Sequence, residues 1–115
     1  MPNDNSNTGI YAGNFAVIAN NTANFNKNIG IIGGGGSTIT GNSTSSNSFY
    51  GIMAASGTVV DNSSSDNLVG LYASYSVVGY ARNVFFNNSG GDVIAAIGAT
   101  ALQTGANVCG TGICP

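Results

Sequence analysis

From Gly9 to Ile94 one short phrase is written about four times, and that repetition restricts the chain to very few folds. The openings are Gly9-Ile10-Tyr11-Ala12, Gly30-Ile31-Ile32-Gly33, Gly51-Ile52-Met53-Ala54 and Gly70-Leu71-Tyr72-Ala73, with a degenerate fifth at Asp92-Val93-Ile94-Ala95. Their starts lie 21, 21, 19 and 22 residues apart. Self-similarity at such a period marks a solenoid, whose units bury their apolar faces only against neighbouring units.

Several columns run through the repeat together. Ile10, Ile31, Ile52, Leu71 and Val93 form an aliphatic row, and Ala12, Gly33, Ala54, Ala73 and Ala95 a row of small residues two positions later. A second aliphatic row is Ile18, Ile39 and Val59, with Val77 or Val78 continuing it. Asn21, Asn42, Asn62 and Asn83 form one asparagine row, and Asn26, Asn47, Asn67 and Asn87 another. Positions i and i+2 share one face of a strand, so the coil is predicted to be short parallel strands joined by turns. In the first coil the strands are expected near residues 10–12, 16–19 and 24–26. Asparagine tolerates left-handed backbone and bonds its own chain, which suits a turn repeated at one angle. A helical solenoid is excluded because Gly, Asn, Ser and Thr, all poor in helix interiors, saturate every repeat.

The length of 115 residues allows one domain, read as an entry segment over 1–8, coils over 9–105 and a cysteine loop over 106–115. Only 5% of the residues are charged: Lys27, Arg82, Asp4, Asp61, Asp66 and Asp92. No run of about 18 apolar residues exists, so no transmembrane helix is expected. Two cations and a net charge of −2 cannot build a phosphate-tracking groove, which argues against nucleic acid as a partner. The aliphatic rows and a 43% hydrophobic content argue against disorder.

Cys109 and Cys114 bracket a glycine-rich loop. A metal site would need further ligands, but the chain has no His or Glu and its Asp residues are distant, so no metal and no cofactor are expected. A disulfide, which implies an oxidising compartment, and free thiols remain open. The N-terminus lacks a signal-peptide pattern. Two locations are therefore expected: the cytoplasm, or the cell exterior or surface if the chain is part of a longer exported protein.

Three stretches hint at chemistry. Gly33-Gly34-Gly35-Gly36 would cradle phosphate only before a helix, whereas Ser37-Thr38-Ile39-Thr40 reads as a strand, so a turn is expected. Asp61 and Asp66, five apart, lack the further acids and closing Glu of a calcium loop and read as solvated turn acids. Coil four collects aromatic residues, and Tyr72, Tyr75 and Tyr80 with Arg82 are the candidates for contact with a polysaccharide. Ordinary strand surface is the rival reading of these residues. No catalytic constellation is present in the sequence.

The Gly-Ile-x-x…Thr-Ile-Thr-Gly-Asn unit of coil two, and the closing run from Gly79 through Gly90-Gly91 to Cys114-Pro115, resemble the right-handed parallel β-helix proteins. That superfamily holds pectate lyases, polygalacturonases and phage tailspikes. The resemblance covers about residues 9–115 and implies an all-β fold, a right-handed parallel β-helix of about five coils. It is nearly silent on activity. Polygalacturonase-like chemistry needs clustered Asp residues and a His, which this chain lacks. Pectate-lyase-like chemistry needs acidic calcium ligands beside an Arg or Lys, of which Asp61, Asp66 and Arg82 are at best a remnant. The expected function is a non-catalytic structural or interaction module, stacking end to end on itself or on upstream coils of a longer chain. A carbohydrate-binding or carbohydrate-cleaving unit is the rival. An ice-binding solenoid is weaker, since only Thr38 and Thr40 form a Thr-x-Thr pair.

Overall fold

The computed structural model describes residues 7–110 and 112–115. The expected entry segment therefore lies outside the described residues, apart from Asn7 and Thr8. Among the described residues there is no helix, so none is long enough to cross a membrane. The chain is a parallel β-solenoid of five turns, three strands to a turn.

The first sheet stacks β1 (Ile10–Ala12), β4 (Ile31–Gly33), β7 (Tyr50–Ala54), β10 (Val69–Ala73) and β13 (Gly91–Ala95). The second stacks β2 (Val17–Ala19), β5 (Ser37–Thr40), β8 (Gly57–Val60), β11 (Val77–Ala81) and β14 (Thr100–Gln103). The third stacks β3 (Thr22–Asn24), β6 (Ser43–Ser45), β9 (Ser63–Ser65), β12 (Val84–Phe86) and β15 (Val108–Cys109). The third strand of the first coil thus precedes Asn26 rather than containing it. Coil five likewise extends past Gly105 to Cys109, which pairs with Phe85.

The aliphatic row of the first sheet is in register from Ile10 to Val93, with Ile31, Ile52 and Leu71 fully buried. Each such side chain contributes about 1.5–3 kcal/mol by leaving water. The row of small residues from Ala12 to Ala95 is in register two positions later. In the second sheet Ile18, Ile39 and Val59 align as expected, but the next member is Tyr80, not Val77 or Val78. The step from Val59 places Tyr80 inside, whereas Val78 lies opposite Gly57. The third sheet's inner column is Ala23, Thr44, Ser64, Phe85 and Cys109. Its two hydroxyls are satisfied in place: Thr44 donates to Ser64 Oγ at 2.8 Å, and Ser64 donates to the Gly70 carbonyl at 2.8 Å.

Two asparagine ladders run along the axis. In the first, the backbone N–H and Nδ2 of Asn21 donate to Oδ1 of Asn42, and the pattern repeats to Asn62, Asn83 and Asn107. In the second, Asn26 donates to Asn47, Asn47 to Asn67, and Asn67 to Asn88. Asn88 therefore replaces Asn87 as the last member of that row. Asn87 is the residue just before it and sits at positive φ.

That arrangement recurs at the ladder corners of the first four coils, whereas Asn107 in the fifth follows Ala106, which is not left-handed. Asn20, Asp61 and Arg82 precede the first ladder's asparagines, and Phe25, Ser46, Asp66 and Asn87 the second's, all at φ between 53° and 58°. Gly41 fills the remaining place at φ 67°. The left-handed corner turns the chain, and the following Asn ties the turn to the next coil. The glycine run is also a corner, as expected: Gly36 has φ 71°, and a Cβ there would lie 2.7 Å from the Phe15 ring. Phe25 is a bulky residue held left-handed on the surface, at a cost of about 1–2 kcal/mol relative to a residue suited to that region. Phe25→Asn should therefore raise the unfolding free energy by about 1 kcal/mol in urea titrations.

Candidate functional site

The four residues expected to contact sugar do not converge. Tyr72 lies on the outer face of the first sheet, in register with Met53 and Ile94, in the same column as Ile32 and Tyr11. Its ring is stacked on Tyr50, with centroids 4.5 Å apart and planes 16° from parallel. Tyr75 is exposed in the connection between β10 and β11. Arg82 occupies the corner between the second and third sheets. Tyr80 is in the core, fully buried, edge-on to Phe85 with centroids 6.2 Å apart. A ring without exposed surface cannot stack on a sugar, so Tyr80 leaves the candidate set. Burial raises the pKa of its phenol above the ordinary value.

Arg82 is not solitary. It makes a two-pronged ion pair with Asp61 one coil earlier, Nε to Oδ1 at 2.9 Å and Nη2 to Oδ2 at 3.1 Å. Both partners sit at left-handed corners, so the stacking of corners brings the charges together. The hydrogen bond to Arg82 lowers the Asp61 pKa, and the same bond raises that of Arg82. Both side chains face water, where such pairs contribute little. A lowered carboxyl pKa gives stability that is present above the unfolded value near 3.8 and is lost as pH falls through the folded one. Asp61→Asn should therefore leave the neutral-pH melting curve almost unchanged in moderate salt. It should also flatten the acid limb slightly below pH 4.

Asp92 carries a role the sequence did not suggest. It takes the column place held by Gly70 in the coil before, directly inside the second ladder. Asn88 has no asparagine on the next coil to donate to, and its Nδ2 donates instead to Asp92 Oδ1 at 3.0 Å and to the Ser64 carbonyl at 3.0 Å. The carboxylate thus terminates a ladder whose asparagine-to-asparagine bonds all run toward the C-terminal coil. Asp92 Oδ2 is buried with no hydrogen-bond partner. A buried oxygen left without a partner costs about 1–3 kcal/mol. Asp92→Asn, which preserves an acceptor for Asn88, should leave the unfolding free energy within about 1 kcal/mol of the parent. Asp92→Ala should be less stable than Asp92→Asn, and chemical denaturation of the two variants checks the order.

The C-terminal end is closed by the tail. Cys109 and Cys114 form a disulfide, with Cα atoms 5.3 Å apart, and both residues are buried in the core cluster. Gly112 forms an antiparallel bridge with Cys109, on the last strand of the third sheet. The Tyr80 hydroxyl donates to the Pro115 carbonyl, and Gln103 Nε2 donates to the Cys114 carbonyl at 3.3 Å. A buried phenol needs a partner for its hydroxyl, and here the tail supplies it. This link between Tyr80 and residue 115 had no periodic signature.

Among the described residues there is no concave pocket and no cluster of three metal-ligating side chains. The outer column of the second sheet reads Val17, Thr38, Thr58, Gly79 and Leu102, which is not a threonine array of the ice-binding kind. No protein-family model, no curated protein and no solved structure matches the chain.

Proposed function

We propose that the chain is a non-catalytic structural and interaction module of the pectate-lyase-like β-helix type, working outside the cell and making its contacts through the ends of the solenoid. The observation that carries this reading is the state of the terminal strands. Among the described residues, β1 and β2 at one end and β13 and β14 at the other each have a single neighbour. Such edges template further pairing. They are flanked by exposed Tyr11, Phe15 and Val17 at the first coil, and by Ile94, Ile97 and Leu102 at the last. The partner is a second copy or further coils of a longer chain. The disulfide supports an oxidising compartment. Sedimentation over a range of concentrations, with negative-stain microscopy, should show association along the solenoid axis. A strictly monomeric species at high micromolar concentration would overturn the reading.

A second reading rests on the stacked Tyr50–Tyr72 pair, which offers a flat, partly exposed aromatic surface to a polysaccharide. Tyrosine emission titrated with neutral and acidic glycans would then change, and Tyr72→Ala would abolish the change. Release of product from any glycan, lost in Asp66→Asn or Arg82→Ala, would replace both readings with an enzymatic one.

A further inference from the structure

The last residues of the chain are held across the end of the solenoid by one covalent bond and a few weak ones. Residues 112–115 touch the rest of the molecule through the Cys109–Cys114 disulfide, the Gly112 bridge, the Tyr80 hydroxyl and the Gln103 amide. Cys114 packs into the core cluster that holds Tyr80 and Phe85, and Gly112 bridges to Cys109 of β15, the last strand of the third sheet. Ordering four residues costs more than three hydrogen bonds return, so the covalent link decides whether the tail stays down. In the chain-entropy account, closing a loop this short shifts that balance about 40-fold.

The structure assigns to residues 112–115 the role of a disulfide-latched cap, whose release makes the C-terminal end a docking edge for a second copy of the chain. The inference rests on the end-association reading above. Opening requires a reductant, and a dithiol suffices. It gives two electrons and two protons to the sulfurs of Cys109 and Cys114, the S–S bond breaks, two thiols form, and the dithiol closes to its own disulfide. The freed tail then leaves β15 without its bridge, beside the edges of β13 and β14. The occupant is another copy because this end carries no charged side chain after Asp92. Two such ends, with Asp92 buried and Ile97, Leu102 and Val108 exposed, meet with little repulsion between charged side chains.

The test compares the oxidised chain, the dithiol-reduced chain and Cys114→Ser by amide exchange, phenol titration and sedimentation. In dilute solution, reduction should speed exchange at Cys109 and Gly112 about 40-fold while the amides of β4 to β11 keep their protection. The Tyr80 phenol, raised by burial, should fall toward its ordinary value as water reaches it. Cys114→Ser should reproduce both effects without reductant, and Tyr80→Phe should loosen the tail further only in the reduced chain. At higher concentration the reduced chain and Cys114→Ser should associate more strongly than the oxidised one. Unchanged exchange and an unchanged Tyr80 titration on reduction would overturn the latch. Uniform loss of protection in every coil would overturn it too, because the disulfide would then staple the whole fold. A loosened tail without added association would overturn the docking edge. The dilute readouts do not depend on association, so failure of the latch is distinguishable from failure of the end-association reading.

Discussion

Ile52→Asp should leave the chain unfolded at room temperature, with the β-sheet circular dichroism signal and the cooperative melt both lost. Ile52 is fully buried in the middle of the first sheet, in register with Ile31 below and Leu71 above. A carboxylate there would lie in an apolar column, and the only ion pair among the described residues is on an outer corner. Taking an unpaired ion out of water costs several kcal/mol. The lost aliphatic burial adds about 2–3 kcal/mol. Small domains have about 5–15 kcal/mol in all, so the sum is decisive. Retention of native circular dichroism and melting by the variant would show that the column does not need to be dry.

Asn62→Ala should be the costliest of the single polar truncations, at about 2–5 kcal/mol, because it orphans groups on both neighbouring coils. The Asn62 side chain accepts from the N–H and Nδ2 of Asn42, and it donates to the carbonyls of Ile39 and Val60 and to Asn83. Removing it leaves the buried Asn42 N–H and the Ile39 carbonyl without those bonds, at about 1–3 kcal/mol for each buried group. The same truncation at Asn21, which has a neighbour on one side only in the described ladder, should cost less. Urea denaturation of the two variants measures the difference, and equal effects would show that the ladder is not cooperative.

The solenoid itself was legible because its period is a direct physical demand: each coil must repeat the residue that fits on the coil below. Ile31 over Ile52, and Asn42 over Asn62, needed no more than counting. The errors came where two residues satisfied the count. Asn87 and Asn88 both continue the second row by spacing, and only backbone geometry separates the left-handed corner from the ladder. Val77 or Val78 continues the aliphatic row by residue type and spacing. The interior, however, accepts an aromatic ring in coil four, where Phe85 and the C-terminal tail provide edge contact and a hydroxyl partner. That reading also misplaced Tyr80 among surface candidates. The Asp61–Arg82 pair was within reach, since the two residues are one coil apart. Asp92 was not, because an acid in a glycine column has no repeat to announce it.

The two ladders also set where the chain can tolerate extra length. Asn21 and Asn26, Asn42 and Asn47, Asn62 and Asn67, and Asn83 and Asn88 are each five residues apart, so the arc carrying the third sheet never varies in these four coils. All variation in coil size falls on the opposite arc, through the first two sheets and the connection between them. Asn107 still receives its bonds from Asn83 although 24 residues separate them. A loop grafted at Tyr75 or at Ile97-Gly98, both exposed, would lengthen an arc that already changes from coil to coil. One grafted between the ladders would break the spacing that holds the corners together. The fold therefore has one invariant edge and one permissive one, and any recognition loop added to such a scaffold belongs on the permissive side.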